Sequence, residues 1–287
     1  MITSCYHYRQ TQMRPSRTDT SRIIRAGALL LGLSGCVSLP PESLPIAHNP
    51  SGDLTRTFED LGPGSGSYAS PRFLVKAYGA GRAKGLAAAA EEDYERLMAH
   101  TVLFSFKPGG LYPIFVYKDA DEFHRKTSAP AWSGGIAVGN AIYTYEGPTL
   151  MRTLAHEIAH LIFHDYMGGP GRLRWFNEGL AVYEELQVAY PKDKREIEDW
   201  LSSSHQAPMS FADLVSYSPG GDLTRQWYGQ SASLVRYLVE VGGRTGVERF
   251  LQASKGGAGL DLALAQGFPT LFDGLASLEK RWLWIKN

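Results

Sequence analysis

The sequence predicts an α+β protein with a small N-terminal mixed sheet and a mostly helical C-terminal half. Strand-like apolar segments are confined to the first half of the chain, at residues 73–78, 113–117 and 142–145. From residue 148 onward, apolar residues recur at helical spacing instead. The third observation is His156-Glu157-Ile158-Ala159-His160, whose two histidines lie one helical turn apart on the same face of a helix.

Composition and charge set limits on the class of protein. The chain has 287 residues, of which 44% are apolar, so it can bury a substantial core in one large domain or two small ones. Its 29 basic and 29 acidic residues cancel. No basic stripe interleaves with aromatic residues, and nucleic acid is therefore not an expected partner.

The only two cysteines of the chain, Cys5 and Cys36, bear on its processing. Cys36 ends Leu33-Ser34-Gly35-Cys36, which follows arginines and a short apolar run. A basic region, a short apolar region and small residues before the cleavage site are typical of a secretory signal peptide. The ending resembles a bacterial lipobox, which implies a signal peptide at 1–35 and lipidation of Cys36. The alternatives are an ordinary signal peptide and a short core helix.

Residues 36–71 are expected to form a flexible tether between the lipid and a domain at 72–287. This segment holds many Pro, Gly and Ser residues, a composition that favours a flexible chain. Val37, rather than Asp, follows Cys36. By resemblance to Gram-negative lipoproteins, this implies the outer membrane, with the domain facing the periplasm.

Apolar periodicity and helix-breaking residues predict the elements of the domain in order. Pro148 favours the start of a helix, and Gly168 favours its end. The first half is predicted to contain a strand at 73–78, a helix at 83–99, a strand at 113–117, a helix at 120–127 and a strand at 142–145. Further helices are predicted at 173–189, 192–201, 222–241, 246–253 and 271–285.

The segment from His156 to His160 is the main part of a predicted metal site. Two imidazoles on one helix face, with a carboxylate from the next helix, supply three ligands for one Zn²⁺ ion and leave a fourth position open. Glu178 lies 18 positions after His160 and offers that carboxylate. Glu157 cannot ligate the same ion, and it is expected to hold a water and take its proton. The alternative is a pair of surface histidines on an amphipathic helix.

Two glutamates compete with Glu178 as the third ligand. Glu184 and Glu185 lie further along the same predicted helix, where an exposed charged face is the ordinary interpretation. The small residues Gly179 and Ala181 favour Glu178, because they permit close approach of another helix.

His164 extends the row of histidines by one more turn. Each turn rises 5.4 Å, so His164 is not expected to ligate the same ion. Asn177 and Asp165 are both candidates for orienting a ligand imidazole. The sequence does not select between them.

These residues resemble those of gluzincin metallopeptidases, particularly the bacterial peptidase-MA-like group. Residues 136–145 occupy the place of the substrate-binding edge strand, and His156 to His160 match the zincin helix. Residues 175–181, Trp-Phe-Asn-Glu-Gly-Leu-Ala, match the family pattern Trp-x-x-Glu-Gly-x-Ala. The resemblance runs from about residue 72 to the C-terminus and implies a zincin-like fold, one zinc ion and peptide hydrolysis. One departure is that 17 residues separate His160 from Glu178, against the commoner 18 of the aminopeptidase branch.

The resemblance further implies a tyrosine that stabilises the oxyanion. Tyr228 is the candidate, because its phenol could donate to the developing negative charge. An aromatic core residue is the alternative, and Tyr217 and Tyr237 are weaker candidates.

The strand at 142–145 has two interpretations. It is either an exposed edge that pairs with an extended peptide or an interior strand. The Gly-rich segment 134–139 suits a bend or flap beside a cleft.

The function favoured by these observations is that of a zinc metallopeptidase of the bacterial envelope acting on peptides or proteins. An endopeptidase is favoured, since the chain has no Gly-x-Met-Glu-Asn-like motif for binding a substrate N-terminus. One alternative is a non-catalytic zinc-binding envelope lipoprotein acting as an assembly or interaction module. Structural zinc usually has four protein ligands, however, and only three are found. A zinc hydrolase for a non-peptide amide is the other alternative.

Overall fold

A six-stranded mixed sheet forms the N-terminal side of the fold. Its order is β1-β5-β6-β4-β3-β2, in which β3, β4 and β6 run parallel and the other pairings are antiparallel. The strands are β1 (Gly35–Cys36), β2 (Ser65–Ala69), β3 (Phe73–Tyr78), β4 (Tyr112–Tyr117), β5 (Gly135–Val138) and β6 (Ala141–Tyr145). This computed structural model describes residues 35–36, 57–101, 103, 106–169, 171–204 and 206–284.

Two helices lie between the strands in the first half of the chain, and only helices follow β6 among the described residues. They are α1 (Ala80–Thr101), α2 (Ala120–Thr127), α3 (Leu150–Met167), α4 (Arg174–Val188), α5 (Pro191–Ser203), α6 (Phe211–Ser216), α7 (Thr224–Lys255), α8 (Leu260–Gly267) and α9 (Leu275–Trp284). Of the described helices, none is long and apolar enough to cross a bilayer.

The predicted α+β class is confirmed, with a small mixed sheet followed by a mostly helical half. The break predicted between helices at 222–241 and 246–253 is a kink inside α7, where Gly243 has φ 58°. Two short helices, α6 and α8, were not predicted. The Gly-rich segment 134–139, expected to form a bend or flap, instead contains strand β5, which forms a hairpin with β6.

The folded part begins earlier than the predicted tether boundary at residue 72. Strand β2 pairs with residues 74–78 of β3, and the Phe58 ring packs edge-on against Tyr143 at 4.8 Å. The glycines of this segment serve a turn, since Gly64 has φ 86° just before β2 begins. Residues 1–34 and 37–56 lie outside the described residues. The signal peptide, the lipid on Cys36 and the rest of the tether therefore stay predictions.

Three stacked helices place the functional residues. Helix α3 packs beneath β5 and β6, α4 packs on α3, and α7 packs on α4. The C-terminal end of α3 is closed by Gly168 in the left-handed conformation, and the N–H of Gly169 donates to the carbonyl of His164. The close approach of α4 and α7 depends on Gly179. A Cβ there would lie 2.4 Å from the Ser231 carbonyl oxygen.

Gly179→Ala should therefore lower the free energy of unfolding by about 1–3 kcal/mol, since the contacting atom belongs to rigid backbone. Denaturant unfolding of the metal-free protein measures this. Gly85→Ala is the matched control, because Gly85 lies on α1 with nothing within 4 Å of its Cβ position. It should stabilise the protein by about 0.5–1 kcal/mol. Equal changes in the free energy of unfolding for the two variants would show that α4 and α7 are not in close contact at Gly179.

Candidate metal centre

Helices α3 and α4 bring His156, His160 and Glu178 together as one candidate metal-binding group. One potential ligand atom from each residue lies within 4.8 Å of the other two. The Nε2 atoms of the two imidazoles are 3.2 Å apart, and Nε2 of His160 is 3.3 Å from Oε2 of Glu178. Both histidines are almost fully buried, whereas the Glu178 side chain keeps about 15% of its exposure. The group is thus closed on its histidine side and reaches solvent through Glu178.

The donor set fits a zinc ion. With bonds of about 2.0–2.2 Å, two ligands at corners of a tetrahedron lie about 3.3–3.6 Å apart, close to the two separations found here. Both carboxylate oxygens of Glu157 are buried without a hydrogen-bond partner among the described residues, and Oε2 of Glu178 is buried with only the ion pair to His160. Buried polar atoms are rarely left unpaired, so the site is shaped for a group that satisfies them.

The charges of His160 and Glu178 stabilise each other. Burial alone lowers the pKa of His160, but the nearby negative charge of Glu178 outweighs it and raises that pKa to about 9. For Glu178, burial raises the pKa, and the opposing charge of His160 brings it below its ordinary value. A cation bound here would replace the proton of His160 as the positive partner.

Glu157 lies beneath β5, where a glycine makes room for it. A Cβ on Gly135 would lie 2.7 Å from the methyl carbon of Thr153 and 3.2 Å from Cγ of Glu157. The carboxylate is fully buried. Burial chiefly raises the pKa of Glu157 to about 8, with the charge of His160 opposing the rise. Such a carboxylate is a stronger base than an exposed glutamate.

Glu185 does not lie on an exposed face as expected; it is buried against His156. Its Oε2 is 3.3 Å from Nδ1 of His156, and its Oε1 accepts hydrogen bonds from Nε and Nη2 of Arg152 at 3.0 and 2.6 Å. Arg152 also reaches Asp193. The contact fits the outer shell of a metal site, in which a carboxylate faces the far nitrogen of a ligand histidine. It leaves Nε2 of His156 turned toward the metal-binding group.

Glu184 is likewise buried and not exposed. Its carboxylate accepts from Nε of Arg96 at 3.0 Å and lies 2.6 Å from Nδ1 of His100. Both partners belong to α1, so Glu184 ties α4 to α1 and faces away from His156. Neither rival displaces Glu178 from the group of candidate ligands.

The structure selects Asn177 to orient His160. Its Oδ1 lies 3.0 Å from Nδ1 of His160, whereas Asp165 accepts a hydrogen bond from the Tyr112 hydroxyl. The other end of the amide, Nδ2, lies 3.0 Å from Nε2 of His164. Burial chiefly lowers the pKa of His164 to about 4, so this imidazole is neutral and can accept that hydrogen bond.

The strand at 142–145 is interior, because β6 lies between β5 and β4. The strand nearer the edge is β5, and the two residues of β1 pair with it through Gly35 and Cys36. Tyr228 lies near the start of α7, with its ring edge-on to Trp227. Its role as an oxyanion donor stays a prediction.

The two weaker candidates pack elsewhere. Tyr217 lies against Trp227 with its hydroxyl 3.3 Å from that of Thr224, and Tyr237 packs against Phe272. These contacts explain both tyrosines as parts of the helical core.

Sequence reasoning missed Arg152 and the contacts of Glu185 and His164. Arg152 precedes His156 by four positions and Glu185 follows Glu178 by seven, so helical spacing placed each near a ligand. Assigning Glu185 to an exposed face hid that signal. The proximity of His164 to Asn177 crosses two helices, and spacing within one helix does not predict it.

Comparison with known proteins shows the family of the chain. The Peptidase MA superfamily model matches residues 89–287, and the chain belongs to that superfamily of zincin-like metallopeptidases. Native leukotriene A4 hydrolase from Saccharomyces cerevisiae has a similar structure, with 20% sequence identity, 77% of this chain covered and a TM-score of 0.44. The match covers 39% of that hydrolase, so this chain spans well under half its length. No curated protein matches the sequence.

Arg152→Met should destabilise the protein by about 3–5 kcal/mol, because it leaves the buried charge of Glu185 without its cation. Thermal and denaturant unfolding measure the loss. Arg236→Met is the control, since Arg236 makes an exposed pair with Glu240 and its removal should cost at most about 0.5 kcal/mol. Losses of equal size in the two variants would contradict the burial of Glu185 beside His156.

Proposed function

We propose that the chain is a zinc-dependent metallopeptidase in which His156, His160 and Glu178 hold one Zn²⁺ ion. The observation that carries the proposal is their convergence next to a buried, unpartnered Glu157. When bound there, zinc supplies Lewis acidity: it polarises a carbonyl and acidifies a water so that a proton is lost near neutral pH. The superfamily match supports zinc and hydrolysis at this general level.

Glu157 is the proposed proton carrier. Its carboxylate accepts a proton from the attacking water while the water oxygen bonds to the peptide carbonyl carbon. The carbon–nitrogen bond then breaks, and Glu157 returns the proton to the leaving amine. Burial suits the first step, because it raises the pKa of Glu157 and so makes this carboxylate a better base than an exposed glutamate.

The proposed setting is the bacterial envelope, with the chain lipidated at Cys36 and held at the outer membrane facing the periplasm. The support is the basic and apolar leader ending in Leu33-Ser34-Gly35-Cys36. The proposed substrates are peptides or proteins of that compartment. Endopeptidase action is favoured by the absence of a Gly-x-Met-Glu-Asn-like motif from the sequence.

A second candidate is a non-catalytic zinc-binding lipoprotein that serves as an assembly or interaction module. It is favoured by the near-complete burial of both histidines, which is what a bracing site requires. It leaves Glu157 unexplained, because a purely structural site needs no base with two unpartnered oxygens.

Glu157→Gln separates the two candidates. The variant should keep zinc at the parental ratio, since Glu157 is not a ligand, but should lose at least about 100-fold in turnover of a quenched fluorescent peptide library. Glu196→Gln, an exposed change on α5, is the control and should leave turnover unchanged. Parental turnover should also stop when 1,10-phenanthroline removes the metal.

Two results would count against the peptidase. Undiminished turnover by Glu157→Gln would remove Glu157 from the reaction. A zinc-loaded parent that cleaves no member of the peptide library would favour the non-catalytic module.

A further inference from the structure

The metal-binding nitrogen of His160 depends on which end of the Asn177 side chain faces it. A neutral imidazole carries one proton, and its other nitrogen bears the lone pair that binds metal. Oδ1 of Asn177 lies 3.0 Å from Nδ1 of His160, which places the proton on Nδ1. The lone pair is then on Nε2, the nitrogen that faces His156 and Glu178.

The opposite orientation of the Asn177 amide would remove the free lone pair from Nε2 of His160. With its –NH₂ group toward His160, Asn177 would donate to Nδ1, and the proton of the neutral ring would move to Nε2. The nitrogen that faces the other ligands would then have no free lone pair. The two ends of an amide have nearly the same shape, so packing around Asn177 does not choose between the orientations.

The choice is made by the partner at the far end of the amide. Nε2 of His164 lies 3.0 Å from Nδ2 of Asn177. An –NH₂ group only donates, so His164 accepts in this arrangement, in the tautomer whose proton is on Nδ1. We propose that His164 is a positioning residue: by accepting from Asn177, it turns the amide oxygen toward His160 and so presents Nε2 of His160 to the metal. The inference rests on the proposed zinc site and assigns a role to a residue outside its ligand set.

The position of His164 suits an indirect role. It lies one turn beyond His160 on α3, with the two rings nearly parallel, at an interplanar angle of 15° and a centroid separation of 5.9 Å. It is only partly buried, so replacing it disturbs little of the core. Asn177 immediately precedes Glu178 on α4. The chain of hydrogen bonds therefore crosses from α3 to α4 and back, next to two of the three proposed ligands.

The experiment compares zinc affinity in the full-length protein, by chelator competition with the metal-free form. His164→Leu removes the acceptor and should weaken zinc binding, by no more than the roughly 10–100-fold that loss of the outer-shell partner Asn177 would cost. His164→Gln is the matched variant, because its amide oxygen can accept from Asn177 at a similar reach. It should stay within about threefold of the parent. Unfolding curves establish that each variant remains folded.

A double-mutant cycle tests whether His164 acts through Asn177. Asn177→Leu should weaken zinc binding on its own, and adding His164→Leu to it should cost nothing further. Nitrogen-15 NMR of the ring nitrogens of His160 gives a second readout: the proton should reside on Nδ1 in the zinc-loaded parent. At a pH above the raised pKa of His160, where the metal-free ring is neutral, a larger share of the other tautomer should appear in His164→Leu than in His164→Gln.

The outcomes separate this inference from the zinc site itself. A parent that binds no zinc would overturn the proposed function. A parent that binds zinc, with His164→Leu binding equally well or with losses that add in the cycle, would overturn the role of His164 and leave the site intact.

Discussion

Burial of opposing charges between α3 and α4 is the constraint on which the rest of the structure depends. His156, Glu157 and His160 on α3 meet Glu178 and Glu185 on α4 in a space that is almost closed to water. Taking ionised groups out of water costs several kcal/mol each unless partners compensate. Compensation is incomplete among the described residues, because Glu157 has no hydrogen-bond partner. A divalent cation held by the proposed ligands would complete the balance and would explain why the fold tolerates so many charges at one helix pair.

The surrounding elements pack closely against this helix pair and hold its side chains in place. Gly135 lets β5 approach Glu157, and Gly179 lets α7 approach the helix that carries Glu178. Arg152 and Asn177 then fix the two imidazoles by different means, a charged carboxylate behind His156 and a neutral amide behind His160. The difference has a physical consequence. Both oxygens of a carboxylate accept hydrogen bonds, whereas an amide has one accepting end and one donating end, whose orientation something else must set.

The sequence predicted the group of candidate ligands better than it predicted the surroundings of that group. Spacing alone paired His156 with His160, because residues four apart lie on one face of a helix. Glu178 was added from the small residues beside it and from the family resemblance. The expectation for Glu185 was wrong because α4 is covered on several sides, and a charge on its surface need not face solvent. The predicted tether was wrong for residues 57–71 because Gly and Ser are equally compatible with a turn and an edge strand. Residue pattern alone predicted no strand at β5, although the family resemblance placed an edge strand at residues 136–145.

The most direct test of the central claim is the zinc-to-protein ratio of the full-length protein beside Glu178→Ala. The account predicts about one zinc per chain in the parent and marked loss in the variant, because two ligands remain of three. Glu196→Ala should keep the parental ratio. A folded parent without zinc would contradict the claim, and zinc retained at full ratio by Glu178→Ala would move the third ligand elsewhere.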